Sequence, residues 1–249
     1  GRNFAVGCLF ACHRGIGLYG SVDVLPLLLA RVRGYDSLQS GTIMAITGIC
    51  QFISAPISGR LMRVVSPRTL LMFGLILFAI GLGLNGFQNS QVSFNELILP
   101  QALRGVAIMF CMLPITNLAL GTLPPEKLKN ASGLFNLTRN LGGAIGLAGI
   151  NTLLDNRIDL HFDQLANHIN AASTAFQNTL ALLTARYESL GISNPGAAAM
   201  KSITTIVGRE STMIAFNDVH LAMAGLFVLA LVMFPLVRNP TSMGSAPAH

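Results

Sequence analysis

Long apolar stretches separated by short polar turns make up most of the first 154 residues of the chain. Five stretches contain about 20 residues or more, the length that an α-helix needs to cross a hydrocarbon core of about 30 Å. A sixth apolar stretch lies near the end. The pattern predicts an all-α integral membrane protein with six transmembrane helices, at about 4–30, 38–59, 69–87, 97–120, 131–154 and 219–237.

Residues 155–218, between the fifth and sixth predicted spans, are more polar but still have helical periodicity. Five apolar residues recur there at helical spacing: Phe176, Leu180, Leu183, Tyr187 and Leu190. This spacing is typical of an amphipathic helix. The pair Asn194-Pro195 favours the start of a second helix, at 196–217. We therefore expect a helical external loop before the last span, and a cytoplasmic tail at 238–249.

Composition supports the membrane class. Mean hydropathy is +0.60, and only 10% of residues are charged, against about 25% in soluble domains. The net charge of +6 includes basic residues that concentrate in two short turns, namely Arg60, Arg63 and Arg68 in the first and Lys127 and Lys129 in the second. The positive-inside rule places these turns in the cytoplasm and the 155–218 loop outside. No basic patch is interleaved with aromatic residues, so we do not expect nucleic-acid binding.

The sequence offers no pattern for metal binding or catalysis. Its four cysteines fall within predicted spans, where cysteine behaves as a small apolar residue. His161 and His168 share a helix face but lack further ligands, so we expect a solvated surface there. Paired carboxylates, a nucleophile beside a base, and a phosphate-binding loop are not found. We therefore expect no enzyme, no cofactor and no metal.

The first residues of the chain bear on whether it starts with a signal peptide or a membrane span. About 27 residues follow Arg2 without a cleavage site of the signal type, which favours a membrane span over a signal peptide. The first residue is Gly1 and not methionine. We therefore expect the sequence to be part of a longer protein.

Ionisable side chains inside predicted spans are the first candidates for function, because charge is costly in a bilayer. Arg14 and Asp23 lie nine residues apart in the first span, hence on opposite faces and about 13 Å apart along the axis. They cannot pair with each other. Asp23 shares a face with Tyr19, and hydration at the membrane boundary is its alternative explanation. Arg104 lies in the fourth span, which also contains Asn117.

The fifth predicted span carries two distinct faces. At about 100° per residue, one face collects Ser132, Asn136, Arg139, Asn140 and Gly143. The neighbouring face collects Gly142, Gly146 and Gly149. Small residues allow close helix packing, and a polar stripe in lipid must face protein or water. The alternative is that the asparagines bond neighbouring helices and that Arg139 caps carbonyls near the cytoplasmic side.

Five segments carry a resemblance to a known family: LPLLLARVRGYDSLQSG (25–41), GRLMRVVSPR (59–68), ELILPQALRG (96–105), LPPEKLKNASGLFNLTRNLGGAIGLAG (123–149) and AFNDVH (215–220). With these segments the sequence resembles the C-terminal half of a major facilitator superfamily transporter. More narrowly, it resembles the EmrB/QacA branch of fourteen-helix drug:proton antiporters, in its Gram-negative form. The resemblance implies a multi-pass protein of the bacterial inner membrane and proton-coupled export of small amphipathic, often cationic compounds.

The resemblance also implies partners. They are the missing N-terminal half of the transporter, a membrane-fusion adaptor and an outer-membrane channel. Under alternating access, Asp23 is our first candidate for the proton-carrying carboxylate, with Arg104 and Arg139 as its charge partners. Candidates for the substrate path are Arg14, Tyr19, Asn117, Asn136 and Asn140. The rival hypothesis is a non-transporting membrane module or assembly subunit whose external loop binds a partner protein.

Overall fold

The computed structural model describes residues 2–121, 123–168, 173–232 and 234, with the side chains of all of these except 2–6, 13, 14, 18–21, 23, 125 and 168. The described residues form no β-strand, which confirms the predicted all-α class. They form the helices α1 (Arg2–Leu28), α2 (Ser37–Leu61), α3 (Pro67–Asn85), α4 (Phe94–Leu120), α5 (Pro125–His168), α6 (Thr174–Ser189) and α7 (Pro195–Val232).

Local sequence signals set the helix ends. A π-helical turn, Leu29–Arg33, follows α1 and ends at Gly34, whose φ of 65° places it in the left-handed region that favours glycine. Asp36 then caps α2, since its Oδ1 accepts a hydrogen bond of 2.7 Å from the Gln39 amide. Ser66 caps α3 in the same way. At the start of α4, the Glu96 carboxylate accepts from the Ser93 amide at 2.9 Å.

The helices pack as a bundle with α4 near its centre. In the apolar stretch of α4, 56% of the residues are buried, against 22% in α2. Helix α7 runs antiparallel to α3, where Phe78 and Phe227 stack with ring centroids 4.3 Å apart. Helix α1 runs parallel to α5. The α3–α4 loop therefore lies at the same end of the bundle as the end of α1, and the α2–α3 and α4–α5 turns lie at the other end.

Four of the described helices, α2, α3, α4 and α7, are long and apolar enough to cross a membrane. Helix α5 is not among them, because Asn136, Arg139 and Asn140 interrupt its apolar stretch. Helix α1 contains several of the residues whose side chains are not described. The six-span arrangement and the external position of residues 155–218 stay predictions.

Two helices are longer than the sequence pattern predicted. The fifth span was predicted to end at Leu154, but α5 continues to His168, because neither proline nor glycine interrupts residues 155–168. The last span was predicted to start at Val219, but α7 begins at Pro195 and runs unbroken to Val232. Between them, the predicted amphipathic segment 155–192 is divided into the end of α5 and the separate helix α6. We call residues 155–168 and 173–210 the arm.

The arm extends past the loops of the bundle. The Ser90 hydroxyl in the α3–α4 loop donates to Glu210 Oε1 at 2.6 Å, and Asn217 Nδ2 donates to the Gln88 carbonyl at 2.7 Å. Residues of α7 before Glu210 therefore lie beyond this loop. Helix α6 packs on that part of α7, where the Tyr187 and Ser202 hydroxyls are 2.6 Å apart.

Glycines of α5 allow close contact with α1. A Cβ on Gly142 would lie 2.8 Å from the Cys12 Cα, and a Cβ on Gly146 would lie 2.7 Å from the Ile16 Cα. Gly149 was predicted to share this face, but a Cβ there would have no neighbour within 4 Å. The reason is geometric: Gly149 lies three residues after Gly146, not four, and so turns away from the line of contact.

Gly146→Ala is expected to destabilise the bundle, because the added methyl would collide with the α1 backbone. Overpacking of this kind costs about 1–3 kcal/mol. The matched control is Gly149→Ala, which places the same methyl in open space and should be neutral or slightly stabilising. The stability of both variants is measured by thermal unfolding in detergent, with the reactivity of the four cysteines toward a thiol-reactive dye as the probe of unfolding. Equal melting temperatures of the two variants would contradict the described α1–α5 contact.

Candidate functional site

A cluster of polar side chains lies buried between α2 and α4. Arg104 is fully buried, and its Nη1 donates to Gln101 Oε1 at 2.7 Å. The hydroxyl of Thr47, on α2, lies 3.2 Å from the same oxygen and 3.3 Å from the Gln101 main-chain carbonyl. The sequence-predicted Arg104 is thus held by hydrogen bonds inside an apolar bundle, as a buried ionic group requires.

Glycines on two helices make room for Arg104. A Cβ on Gly105 would lie 2.5 Å from the Thr47 carbonyl oxygen, so α2 and α4 are in close contact one residue after the arginine. On α3, a Cβ at Gly81 would lie 3.2 Å from Arg104 Cγ. A larger residue at position 81 would therefore crowd the arginine side chain, and one at position 105 would push α2 away from α4.

Helix α7 contributes a histidine side chain to this region. His220 is fully buried and close enough to Arg104 to interact with it electrostatically. Its Nδ1 lies 2.8 Å from the Phe216 carbonyl, so Nδ1–H donates to that oxygen and Nε2 is left without a hydrogen-bond partner among the described residues. Asn85 on α3 is also buried, and its amide nitrogen and oxygen likewise lack described partners.

Of the residues in this cluster and beside it, Arg104 was predicted from the sequence, and four others were not: Gln101, Thr47, His220 and Asn85. One signal was available, because His220 is a titratable residue within the apolar stretch of the last predicted span. Neutral polar residues give a weaker signal. Gln101 lies three residues before Arg104 and so shares its helix face, but its bond to Thr47 joins positions far apart in sequence.

The other predicted site residues lie in separate places. Arg139 is half-buried on α5, and Gly15 of α1 lies against its main-chain carbonyl, where a Cβ would be 2.5 Å away. Asn117, Asn136 and Asn140 are exposed. The side chains of Arg14, Tyr19 and Asp23 lie outside the described residues, although their backbone belongs to α1. Their predicted roles stay predictions.

A cavity of about 950 Å³ opens between the ends of α2 and α4 and the start of α5. We call it the α4–α5 cavity. Among the predicted substrate-path residues it includes Asn117, and from the predicted polar stripe of α5 it includes Ser132. Its described lining is mostly apolar and consists of Met62, Met112, Leu113, Thr116, Asn117, Leu120, Gly121, Leu123, Leu128, Lys129 and Ser132.

Charged residues join α5 to α7 where the arm begins. Asp218 Oδ2 lies 2.8 Å from His161 Nε2 and 3.5 Å from Arg157 Nη1. His161 is therefore not the solvated residue that the sequence predicted, since its side chain is 15% exposed and bonded to another helix. The side chain of His168 lies outside the described part of the chain. Within that part, no group of three or more potential metal ligands is found.

Gln101→Leu is expected to lower stability by about 1–3 kcal/mol, because the substitution removes the oxygen that accepts from Arg104 and leaves part of a buried cation unsatisfied. Gln91→Leu, in the exposed turn before α4, is the matched control and should have little effect. Dye labelling of the buried Cys111 and the other cysteines during heating gives the melting temperature. A Gln101→Leu variant that melts with the wild type would contradict the described role of the cluster.

Comparison with known proteins adds independent information. Residues 2–147 match the model of the Major Facilitator Superfamily. The colistin resistance protein EmrB of Acinetobacter baumannii is 33% identical over 94% of this chain, and the multidrug export protein EmrB of Escherichia coli K12 is 30% identical over 98%. The fatty acid resistance protein FarB of Neisseria gonorrhoeae is 28% identical over 98%.

The chain spans less than half the length of these relatives, at 44%, 46% and 47% respectively. The matches and the apolar helices indicate a multi-pass membrane protein of a transporter family. The resemblance predicted from the sequence is thereby confirmed. The chain belongs to the Major Facilitator Superfamily and is similar to the EmrB-type export proteins over almost its whole length.

Proposed function

We propose that this chain forms the C-terminal half of a proton-coupled multidrug efflux transporter of the bacterial inner membrane, which works by alternating access. The observation that carries the proposal is the fully buried Arg104 in its polar cluster. An ionisable group inside an apolar bundle is costly, and in membrane proteins such groups mark ion and substrate pathways.

The exposed polar residues support an aqueous pathway beside the bundle. Asn117 on α4 and Asn136 and Asn140 on α5 are exposed, within helices that are otherwise largely apolar. In a bilayer, such residues must face water or another part of the protein. The N-terminal half of the transporter, packed on this side, would enclose them, as the halves of facilitator transporters do around a central site. The α4–α5 cavity would then form part of the pathway.

The names of the relatives support the substrate class. One is named for multidrug export, one for colistin resistance and one for fatty acid resistance. We propose that this transporter likewise exports amphipathic compounds that are toxic to the cell. Arg14 and Tyr19 are further candidates for contact with substrate, by their position on α1.

Coupling to protons is assigned to Asp23 in this proposal, with Arg104 and Arg139 as charge partners. A carboxylate that gains and loses a proton during the cycle would change its attraction to a neighbouring guanidinium, and so would favour different helix arrangements. Arg104 cannot exchange its own proton readily, because the guanidinium stays protonated in proteins. It is therefore suited to act as a fixed counter-charge.

Asp23→Asn is expected to abolish uphill export, because the amide cannot release a proton. In cells without other drug exporters, expression of the gene that encodes this chain should lower the accumulation of a fluorescent dye, and Asp23→Asn should restore accumulation to the level without the gene. Exchange of substrate across proteoliposomes without a proton gradient should survive, because exchange requires no net proton release.

Asp163→Asn is the matched control for that experiment. Asp163 is exposed on the arm and lies outside the predicted spans, so its substitution should leave export unchanged. Uphill export by Asp23→Asn at the wild-type rate would refute the coupling role. Dye accumulation that does not respond to the wild-type gene would refute the export function itself.

The arm favours a second function, the docking of a partner protein. Helix α6 contains no buried residue, and two of its leucines are largely exposed: Leu182 within the helix at 73% and the C-cap residue Leu190 at 66%. Exposed apolar groups on a projecting segment are typical of interaction surfaces. We propose that a membrane-fusion adaptor binds here and passes the substrate to an outer-membrane channel. A non-transporting assembly subunit would use the same surface without export.

Leu182→Asp is expected to reduce capture of the purified adaptor domain at least tenfold, because a charge would enter the apolar contact. Asn178→Asp adds the same charge one turn earlier without removing apolar surface, and should have a smaller effect. Export by proteoliposomes without adaptor should be unchanged in both variants. Equal capture of wild type and Leu182→Asp would exclude this surface, and export-deficient wild-type protein that still captures the adaptor would favour the assembly subunit.

A further inference from the structure

Three buried side chains carry polar atoms that have no hydrogen-bond partner in the described part of the chain. They are Asn85 on α3, Gln101 on α4 and His220 on α7, with exposed fractions of 2%, 0% and 0%. The atoms are the nitrogen and oxygen of the Asn85 amide, Nε2 of Gln101 and Nε2 of His220. Buried polar groups in native proteins almost always have a partner, from protein or from ordered water. These atoms therefore point to a bound molecule.

Helix α3 brings Asn85 toward the cluster around Arg104. A Cβ on Gly81 would lie 3.2 Å from Arg104 Cγ, so this face of α3 packs on the arginine. Asn85 lies four residues after Gly81 and hence on the same face, one turn nearer the α3–α4 loop. Gln101 lies three residues before Arg104 on α4, displaced toward the same loop, and its Oε1 accepts from the arginine at 2.7 Å. The two amides therefore occupy neighbouring levels of the α3–α4 pair.

Helix α7 brings His220 to the same level of the bundle. Gly86 of α3 lies against Leu221, where a Cβ would be 2.6 Å from the leucine side chain. Asn85 and His220 each precede one member of this contact by one residue, so they lie at one level of the antiparallel α3–α7 pair. His220 is also close enough to Arg104 to interact with it electrostatically. Three helices thus contribute the unpartnered atoms to one region of the interior.

These atoms include both hydrogen-bond donors and acceptors. Because the Nδ1–H of His220 donates to the Phe216 carbonyl at 2.8 Å, Nε2 of the neutral ring is an acceptor, and the Asn85 amide oxygen is a second acceptor. The amide nitrogens of Asn85 and Gln101 are donors. An anion would meet the two acceptors, and a metal cation would lie near the Arg104 guanidinium, so neither suits the whole set. Water both donates and accepts, and so matches all of these atoms.

We propose that the interior between α3, α4 and α7 contains a bound-water site, formed by Asn85, Gln101 and His220 beside Arg104. A buried water makes about three hydrogen bonds, so one or two molecules would satisfy these atoms. The water would also extend the network of Thr47, Gln101 and Arg104, which joins α2 to α4, across to α3 and α7. Its dipole would help to solvate the buried guanidinium. The site follows from burial and hydrogen bonding alone and does not depend on the proposed export.

The test is hydroxyl-radical labelling by a brief X-ray pulse, applied to the purified protein in detergent and measured by mass spectrometry. The pulse forms radicals from water wherever water lies, so a buried side chain is oxidised only if water is bound beside it. His220 should be oxidised about tenfold faster than Phe227, an equally buried residue of α7 that stacks on Phe78. Equal rates at His220 and Phe227 would overturn the site, because labelling would then reflect general opening of the bundle or no bound water at all.

Substitution of Asn85 locates the water. Asn85→Leu should lower the oxidation of His220 about fivefold, because apolar carbon replaces two polar atoms of the site. Asn85→Ser keeps a hydroxyl and leaves more room, so it should stay within about twofold of the wild type. The matched control is Asn95→Leu, the same change at an exposed position of α4, which should leave the labelling of His220 unchanged.

Unchanged oxidation of His220 in Asn85→Leu would exclude the proposed site. The wild-type comparison of His220 with Phe227 requires no substitution, so it decides the proposal even if Asn85→Leu does not fold. The labelling is also independent of transport activity. A labelled His220 in a protein that does not lower dye accumulation would leave the water site intact and refute the proposed export, and efficient export with an unlabelled His220 would do the reverse.

Discussion

The structure depends on providing hydrogen-bond partners for the guanidinium of Arg104, which is buried in a bundle whose other interior residues are mostly apolar. The hydrogen bond to Gln101, one turn earlier on α4, meets part of this requirement, and Thr47 ties the same oxygen to α2. Close helix contact is needed for these short bonds, and glycines at positions 81 and 105 permit it. Helix α4 is the most buried of the four apolar helices because three others pack around this point. A purely apolar interior would fold without such constraints, so their presence supports a functional role for the arginine.

Most of the helical order followed from the sequence, because apolar stretches and capping residues are local signals. Helices α2, α3 and α4 start close to the predicted positions, after the N-cap residues Asp36, Ser66 and Ser93. Leu154 and Val219 were predicted as limits of membrane spans from a change in polarity, and the helices themselves continue past both residues. A helix responds to backbone breakers and not to the polarity of its surroundings, so α5 and α7 continue through those positions. The predicted limits of the membrane spans therefore do not coincide with the ends of these two helices.

The candidate sites were predictable in part. Arg104 was visible because a charge in an apolar stretch is rare, and the packing of Gly142 and Gly146 followed from their spacing. Gly149 did not join them, because a three-residue step rotates away from a contact that a four-residue step maintains. The cavity beside Lys129 could not be derived from the sequence, since it is formed by three helix ends whose arrangement depends on tertiary packing. The hydrogen bond between His161 and Asp218 could not be predicted either, because 57 residues separate them and only tertiary packing brings them together.

The continuity of α5 and α7 has a mechanical consequence. From Asp218 to Pro195, α7 extends about 35 Å at roughly 1.5 Å per residue, with no joint at which bending could be absorbed. The contacts of Asp218 with Arg157 and His161 couple the base of this extension to α5. A rocking of the bundle by 10° would swing the far tip through about 6 Å, by the geometry of a rigid rod of that length. Helix α6, which packs on this part of α7, would move with it, so a small rotation in the bundle becomes a much larger displacement of the exposed Leu182 and Leu190.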